Sequence, residues 1–283
     1  MKITGRTDVY GIFGYPVKHS LSPLMQTAAF EAAGIDAVYV PFQVSPENLE
    51  KAVDGLKAMG IRGINVTVPL KEKIIHFLDF IDETAEFMGA VNTVKNVDGK
   101  LYGYNTDGDG FVDSLKEERI EVGGKKVLII GAGGSAKAIA YSLLRNGVEK
   151  IVIANRTFEK AESLAGRLSK IEMVEAVSLD YLNSVVDKFD ILINTTSVGM
   201  KESDPSLFDY SLIKPDTVVV DIIYKPFETE LLKVAKSKGA KTINGLGMLI
   251  HQGARAFKIL TDMESSVEVM KDALLEGLDG RNI

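Results

Sequence analysis

Hydrophobic and polar positions alternate over short runs along most of the chain, and helical spacing fills the stretches between them. VYGIF at 9–13 predicts a first strand, and a helix follows from Pro23 to about Ala33. AVYVPFQV at 37–44 predicts a strand that Pro41 assigns to a sheet edge. Pro46 to Met59 fits a helix ended by Gly60. In INVTVPLKEK, 64–73, the period of two sends Ile64, Val66 and Val68 to the core and Asn65 and Thr67 to the other face. Pro69 stops that strand, and Lys71 stands on the next turn. AVNTVKNV and KLYGYN flank Asp98-Gly99, a hairpin signal. The pattern so far is βαβαβ plus a hairpin.

A different pattern begins near Asp107. A helix is expected at 108–118, and KKVLIIGAGGSAKAIAYSLLRNGVEKIVIANRT then gives strand, glycine turn, helix and strand. Further strands are expected at 190–193, 217–222 and 240–244, and the tail after Gly245 is helical in pattern. This second block predicts a doubly wound parallel sheet, so the fold class is α/β.

The glycine turn brings the first chemistry. Gly131, Gly133 and Ala136 form G-x-G-x-x-A between a buried strand and a helix. The first glycine permits the tight turn, the second lets backbone approach a pyrophosphate, and the small third residue packs helix on strand. The helix N-terminus offers N–H groups and partial positive charge to phosphates. An NAD site has an acid about 20 residues past the glycines. This chain has Ala154, Asn155, Arg156 and Thr157 there, with Lys160 one turn on. Arg156 is either a solvated surface residue or the partner of a 2′-phosphate; with the acid missing, the pattern favours NADP.

Ser20-Leu21-Ser22-Pro23 has two readings. Either Ser22 simply caps the helix, or both hydroxyls form an anion site for a carboxylate at its N-terminus. Read on their own, Lys71 is a solvated lysine at a helix start and Asp107 an N-cap.

Composition narrows the class. The 283 residues suit two domains, and a net charge of −6 argues against nucleic-acid binding. There is no cysteine, and His19, His76 and His251 show no metal-ligand spacing, so no metal is expected. No apolar run approaches the roughly 20 residues of a membrane span, and the N-terminus does not read as a signal peptide. The expected location is cytoplasmic, with no membrane partner.

Nine ordered motifs together resemble the shikimate dehydrogenases: GYPVKHSLSP, NVTVPLKE, GAVNTV, GYNTDGDGF, GAGGSAKA, NRT, NTTSVGM, DIIYKP and NGLGMLIHQGARAF. The resemblance implies reversible reduction of 3-dehydroshikimate to shikimate with NADPH, in aromatic amino-acid biosynthesis. It implies a substrate-binding domain of 1–107 with 245–283, a Rossmann-type NADP domain of 108–244, and a cleft between them. Residue by residue, it places Ser20, Ser22 and Tyr224 on the substrate carboxylate. Asn65, Thr67, Asn92, Asp107 and Gln252 would hold the ring hydroxyls, with Lys71 and Asp107 as the catalytic pair. Gly131, Ala132, Gly133, Gly134, Ser135, Ala136, Asn155, Arg156, Thr157 and Lys160 would bind NADP. Thr195, Ser197, Met200, Ile222, Gly245 and Met248 would line the nicotinamide side.

Two rivals stand beside this reading. One is an NAD-dependent quinate/shikimate dehydrogenase, against which Ser20, Ser22 and Asn155-Arg156-Thr157 lean. The other is a catalytically silent NADP-binding regulator on the same fold, which Lys71 with Asp107 disfavours. The edge strand around Pro41 is free or paired, which leaves a homodimer open.

Overall fold

The β-branched and aromatic run of the N-terminus forms β1 (Asp8–Gly14), and the proline start of the next segment forms α1 (Ser22–Ala32). β2 (Ala37–Gln43), α2 (Leu49–Ala58) and β3 (Gly63–Val66) follow. The computed structural model describes residues 2–279. It divides the chain into two compact units: residues up to Gly110 together with those from Ile250 onward, and Phe111–Leu249.

In the first unit, β4 (Phe80–Ile81), α3 (Glu83–Met88), β5 (Thr93–Val97) and β6 (Lys100–Tyr104) complete a six-stranded mixed sheet of order β2-β1-β3-β5-β6-β4. β1 is parallel to β2 and β3, while β5 is antiparallel to β3 and β6. Pro41 lies on the edge strand, as its missing N–H requires. Asp98 and Gly99, both at positive φ, turn the β5–β6 hairpin. One face of the sheet buries Phe13, Leu56, Ile64, Val94 and Leu101. On the other side the rings of Tyr10, Phe30 and Phe257 pack in sequence at tilted angles, and the late helix α9 (Val267–Asp279) packs on α1.

The alternation predicted for 64–68 stops early. β3 ends at Val66, and Val68 is 69% exposed rather than part of the core. Leu70, fully buried, anchors the segment instead, with its N–H bonded to the Thr67 carbonyl. The apolar footing of the Lys71 turn therefore comes from the residue just before the lysine.

The second unit holds β7 (Lys126–Ile130), α5 (Gly134–Arg145), β8 (Lys150–Asn155), α6 (Phe158–Leu168) and β9 (Val174–Ser178). β10 (Ile191–Asn194), β11 (Val218–Asp221), α7 (Glu230–Ser237) and β12 (Lys241–Ile243) follow. All six strands are parallel, in the order β12-β11-β10-β7-β8-β9. Counted from β7, this is the doubly wound order 3-2-1-4-5-6, whose direction reverses between β7 and β10. The two divisions between the units fall inside α4 (Asp107–Glu117) and α8 (Leu246–Thr261). Among the described residues no helix is long and apolar enough to cross a membrane.

Candidate functional site

Lys71 is held by its backbone before its side chain does anything. Its carbonyl accepts the Val91 N–H at 2.9 Å, beside the start of β5. From there its Nζ reaches Asp107 Oδ2 at 2.5 Å. The pair is mostly shielded, with the lysine side chain 24% and the aspartate 10% exposed. The Asp107 carboxylate does not cap the helix it begins. Its Oδ1 accepts from Asn92 Nδ2 at 2.9 Å, and the Asp107 N–H is itself bonded by Asn105 Oδ1. The local turn around Asp107 is thus closed by Asn105, which frees the carboxylate for Lys71.

Asn92 is buried immediately before β5. Its Oδ1 accepts from the Thr106 N–H and from Thr93 Oγ1, each at 2.9 Å. Its Nδ2 donates to Thr106 Oγ1 as well as to Asp107, and Gln252 Oε1 lies 3.4 Å away. Asn65 donates from Nδ2 to the Asn92 carbonyl and to Thr93 Oγ1, and accepts from the Tyr39 hydroxyl at 2.7 Å. Burial pushes the Tyr39 hydroxyl well above its usual range, so it stays a donor. Helix α8 comes close because Gly110 has no Cβ: one added there would lie 2.4 Å from the Gln252 nitrogen. Thr106 Oγ1 also bonds the Gln252 carbonyl.

Ser20 and Ser22 stand at the N-terminus of α1, and the capping expectation needs correction. Ser22 lies within the helix and its side chain caps nothing; Ser20 Oγ accepts the Ser22 N–H at 3.3 Å. Thr67, half-buried just past β3, makes no side-chain hydrogen bond among the described residues. The first unit therefore contains Ser20, Ser22, Asn65, Thr67, Lys71, Asn92, Asp107 and Gln252, of which Asn65, Lys71, Asn92, Asp107 and Gln252 share one network. Tyr224 belongs to the second unit, half-buried after β11. Residue-by-residue reading missed Tyr39, Thr93, Asn105 and Thr106. The last three stand inside or beside motifs read only at Asn92 and Asp107.

In the second unit, the glycine turn sits where the sheet order reverses. Gly131 has φ +116°, and a Cβ there would lie 2.3 Å from Thr195 Oγ1, which is bonded to the Ile130 carbonyl. A Cβ at Gly133 or Gly134 would meet nothing within 4 Å, so the start of α5 is open to a ligand. Ala136 is fully buried against the sheet. Gly131, Ala132, Gly133, Asn155, Arg156, Thr195 and Ser197 line a cavity of about 340 Å³. Asn155 Nδ2 braces the turn at the Thr157 carbonyl, while Arg156 and Lys160 are exposed cations with no ion pair among the described residues. Open backbone at the helix start and two uncommitted cations fit a dinucleotide carrying an extra phosphate.

Gly134, Ser135, Thr157 and Lys160 lie outside that cavity's lining, as do Met200, Ile222, Gly245 and Met248. Met200 lines a second cavity of about 660 Å³ with Asp204, Lys225 and Thr229. Its loop is tied by Asp204 Oδ2, which accepts the N–H groups of Gly199 and Lys201 at 2.9 and 3.1 Å. Those bonds hold the Asp204 carboxyl below the usual range. Gly245 is pressed on Ile222, where a Cβ would come within 1.9 Å of the carbonyl oxygen. Beneath, the buried Asp221 accepts from Asn194, Ile223 and Thr229, and burial raises its pKa.

Three family models match the chain. They are the shikimate dehydrogenase substrate binding domain over 12–94, shikimate / quinate 5-dehydrogenase over 114–222, and the shikimate 5′-dehydrogenase C-terminal domain over 245–275. A shikimate dehydrogenase (NADP(+)) of Aquifex aeolicus is 51% identical over 93% of this chain and 94% of its own. One of Methanocaldococcus jannaschii is 49% identical over 97% and 98%. A solved shikimate dehydrogenase in complex with NADP+ matches with a TM-score of 0.92 and 48% identity, covering 98% of this chain and 97% of that one.

Proposed function

The chain belongs to the shikimate dehydrogenase family, and from that premise we infer that it catalyses the reversible NADPH-dependent reduction of 3-dehydroshikimate to shikimate. It is an oxidoreductase that serves aromatic amino-acid biosynthesis. The observation that carries the reading is the Lys71–Asp107 pair, fixed at 2.5 Å within a network of buried amides.

NADPH, when bound, supplies the hydride; the residues of this chain orient the substrate and handle the proton. In the reducing direction the Lys71 ammonium gives one N–H proton to the ketone oxygen as that oxygen becomes a hydroxyl. In the reverse direction the Lys71 amine takes the hydroxyl proton. The Asp107 carboxylate holds Nζ in place and balances its charge. We assign Asn65, Thr67, Asn92, Asp107 and Gln252 to the ring hydroxyls, and Ser20, Ser22 and Tyr224 to the carboxylate. Gly131 to Ala136 would take the pyrophosphate, Asn155 to Thr157 with Lys160 the 2′-phosphate. Thr195, Ser197, Met200, Ile222, Gly245 and Met248 would line the nicotinamide.

The relatives named for NADP(+) support this reading over an NAD-dependent quinate enzyme or a silent regulator. We place the protein in the cytoplasm, where small biosynthetic acids and NADPH meet. We propose a homodimer through the edge strand β2, to be tested by sedimentation. Absorbance at the NADPH band, with shikimate and quinate each offered with NADP and NAD, tests the reaction. Shikimate with NADP is expected to be fastest. Faster quinate turnover with NAD would instead establish the first rival, and NADPH binding with no turnover the second.

A further inference from the structure

We propose that Thr93 is a positioning residue for this reaction, setting the amide of Asn92 and through it the Asp107–Lys71 pair; the inference rests on the function proposed above. Thr93 is fully buried, so it does not touch substrate. It lies on β5 directly across from Asn65 of β3. Its hydroxyl is the side-chain link between the two asparagines: Oγ1 accepts a hydrogen bond from Asn65 Nδ2 at 3.0 Å and donates one to Asn92 Oδ1 at 2.9 Å.

The direction of every bond in this chain is determined. The main-chain carbonyl of Asn92 only accepts, so Asn65 must turn its Nδ2 that way, with Oδ1 left to the Tyr39 hydroxyl. The second proton on Nδ2 goes to Thr93 Oγ1, which directs the threonine proton to Asn92 Oδ1. With Thr93 and the Thr106 N–H both on Oδ1, the Asn92 NH₂ group faces Asp107 Oδ1. Asp107 Oδ2 is left for Lys71. Hydrogen bonds thus run one way, from Tyr39 through Asn65, Thr93 and Asn92 to the carboxylate. Removing the threonine hydroxyl strands a buried donor on Asn65 and loosens the oxygen end of Asn92.

The test compares variants that separate the hydroxyl from the methyl. Thr93→Val keeps the shape and removes the hydroxyl; Thr93→Ser keeps the hydroxyl and removes the methyl; Thr93→Ala removes both. Steady-state kinetics would be measured with shikimate and NADP, and folding by the thermal midpoint. For Thr93→Val, kcat/KM for shikimate is expected to fall about ten-fold while KM for NADP stays put, and Thr93→Ser should remain within about three-fold of wild type. Thr93→Ser should also exceed Thr93→Ala by about ten-fold, a comparison that stands if the valine variant does not fold. A folded Thr93→Val with wild-type kinetics overturns the proposal, and so does Thr93→Ser no better than Thr93→Ala. A wild-type protein inert to shikimate and NADP would sink the underlying reading, and this inference with it.

Discussion

In the first unit, Asn65, Asn92, Asp107 and Lys71 are joined in one hydrogen-bonded network, whereas in the second Arg156 and Lys160 make no ion pair among the described residues and a Cβ at Gly133 or Gly134 would meet nothing within 4 Å. The difference fits the two tasks proposed for these regions. Moving a proton at a defined atom needs donors and acceptors fixed in advance, because small misplacements cost rate. Holding a polyanion needs open N–H groups and uncommitted cations, which the ligand itself then organises. One region is preorganised by a closed network, and the other is left open for a charge to complete.

The sharpest way to break this comparison is Lys71→Ala. Turnover is expected to fall by about 10²–10⁴, with only a small rise in KM for shikimate, since the lysine is assigned to the proton rather than to binding. Near-wild-type turnover in steady-state assays would remove Lys71 from the mechanism and leave the network a structural feature.

A smaller effect is expected in the open region. Arg156→Gln should raise KM for NADP about ten-fold or more, from loss of a charge-assisted contact of roughly 1.5–3 kcal/mol, with little change for NAD. Equal losses with both cofactors would mean that the guanidinium does not read the 2′-phosphate.

The smallest effect concerns the Met200 loop. The N–H bonds from Gly199 and Lys201 depress the Asp204 pKa in the folded state. The stability they give is present above the unfolded value of about 3.9 and is lost as pH falls through the lower folded value. Thermal midpoints by circular dichroism should therefore show wild type above Asp204→Asn at pH 6, with the gap closing below about pH 4. A gap that stays constant across that range would show that the charge does not hold the loop.

Much of this was legible in the sequence. The hairpin at Asp98-Gly99, the edge placement of Pro41 and the glycine turn after β7 each rest on local backbone chemistry, and each appears as expected. Val68 was misplaced because alternation cannot tell the last strand residue from the first turn residue, and Pro69 follows either way. β4, of two residues, is too short for any period, and β9, VEAVS, is half-polar on a sheet edge. Ser22 looked like a cap because serine before proline usually is one, but the turn begins a residue earlier and Ser20 takes the bond. Asn105, Thr106 and Thr93 were invisible for another reason: a buried hydroxyl or amide declares its role only when its partners, brought from β3, β6 and α8, are in place.

The order in which the ribosome delivers these parts has its own consequence. The apolar face of α1, with Met25 and Phe30 buried, is covered by Phe257 of α8 and by α9. Phe257 is synthesised 227 residues after Phe30. At about 5–20 residues per second, that face waits roughly 11–45 s for its cover, while the entire contiguous second unit is made. During synthesis the first unit is an unfinished half-molecule with an exposed greasy helix, and a stalled or truncated chain ending before α8 would stay sticky in that way.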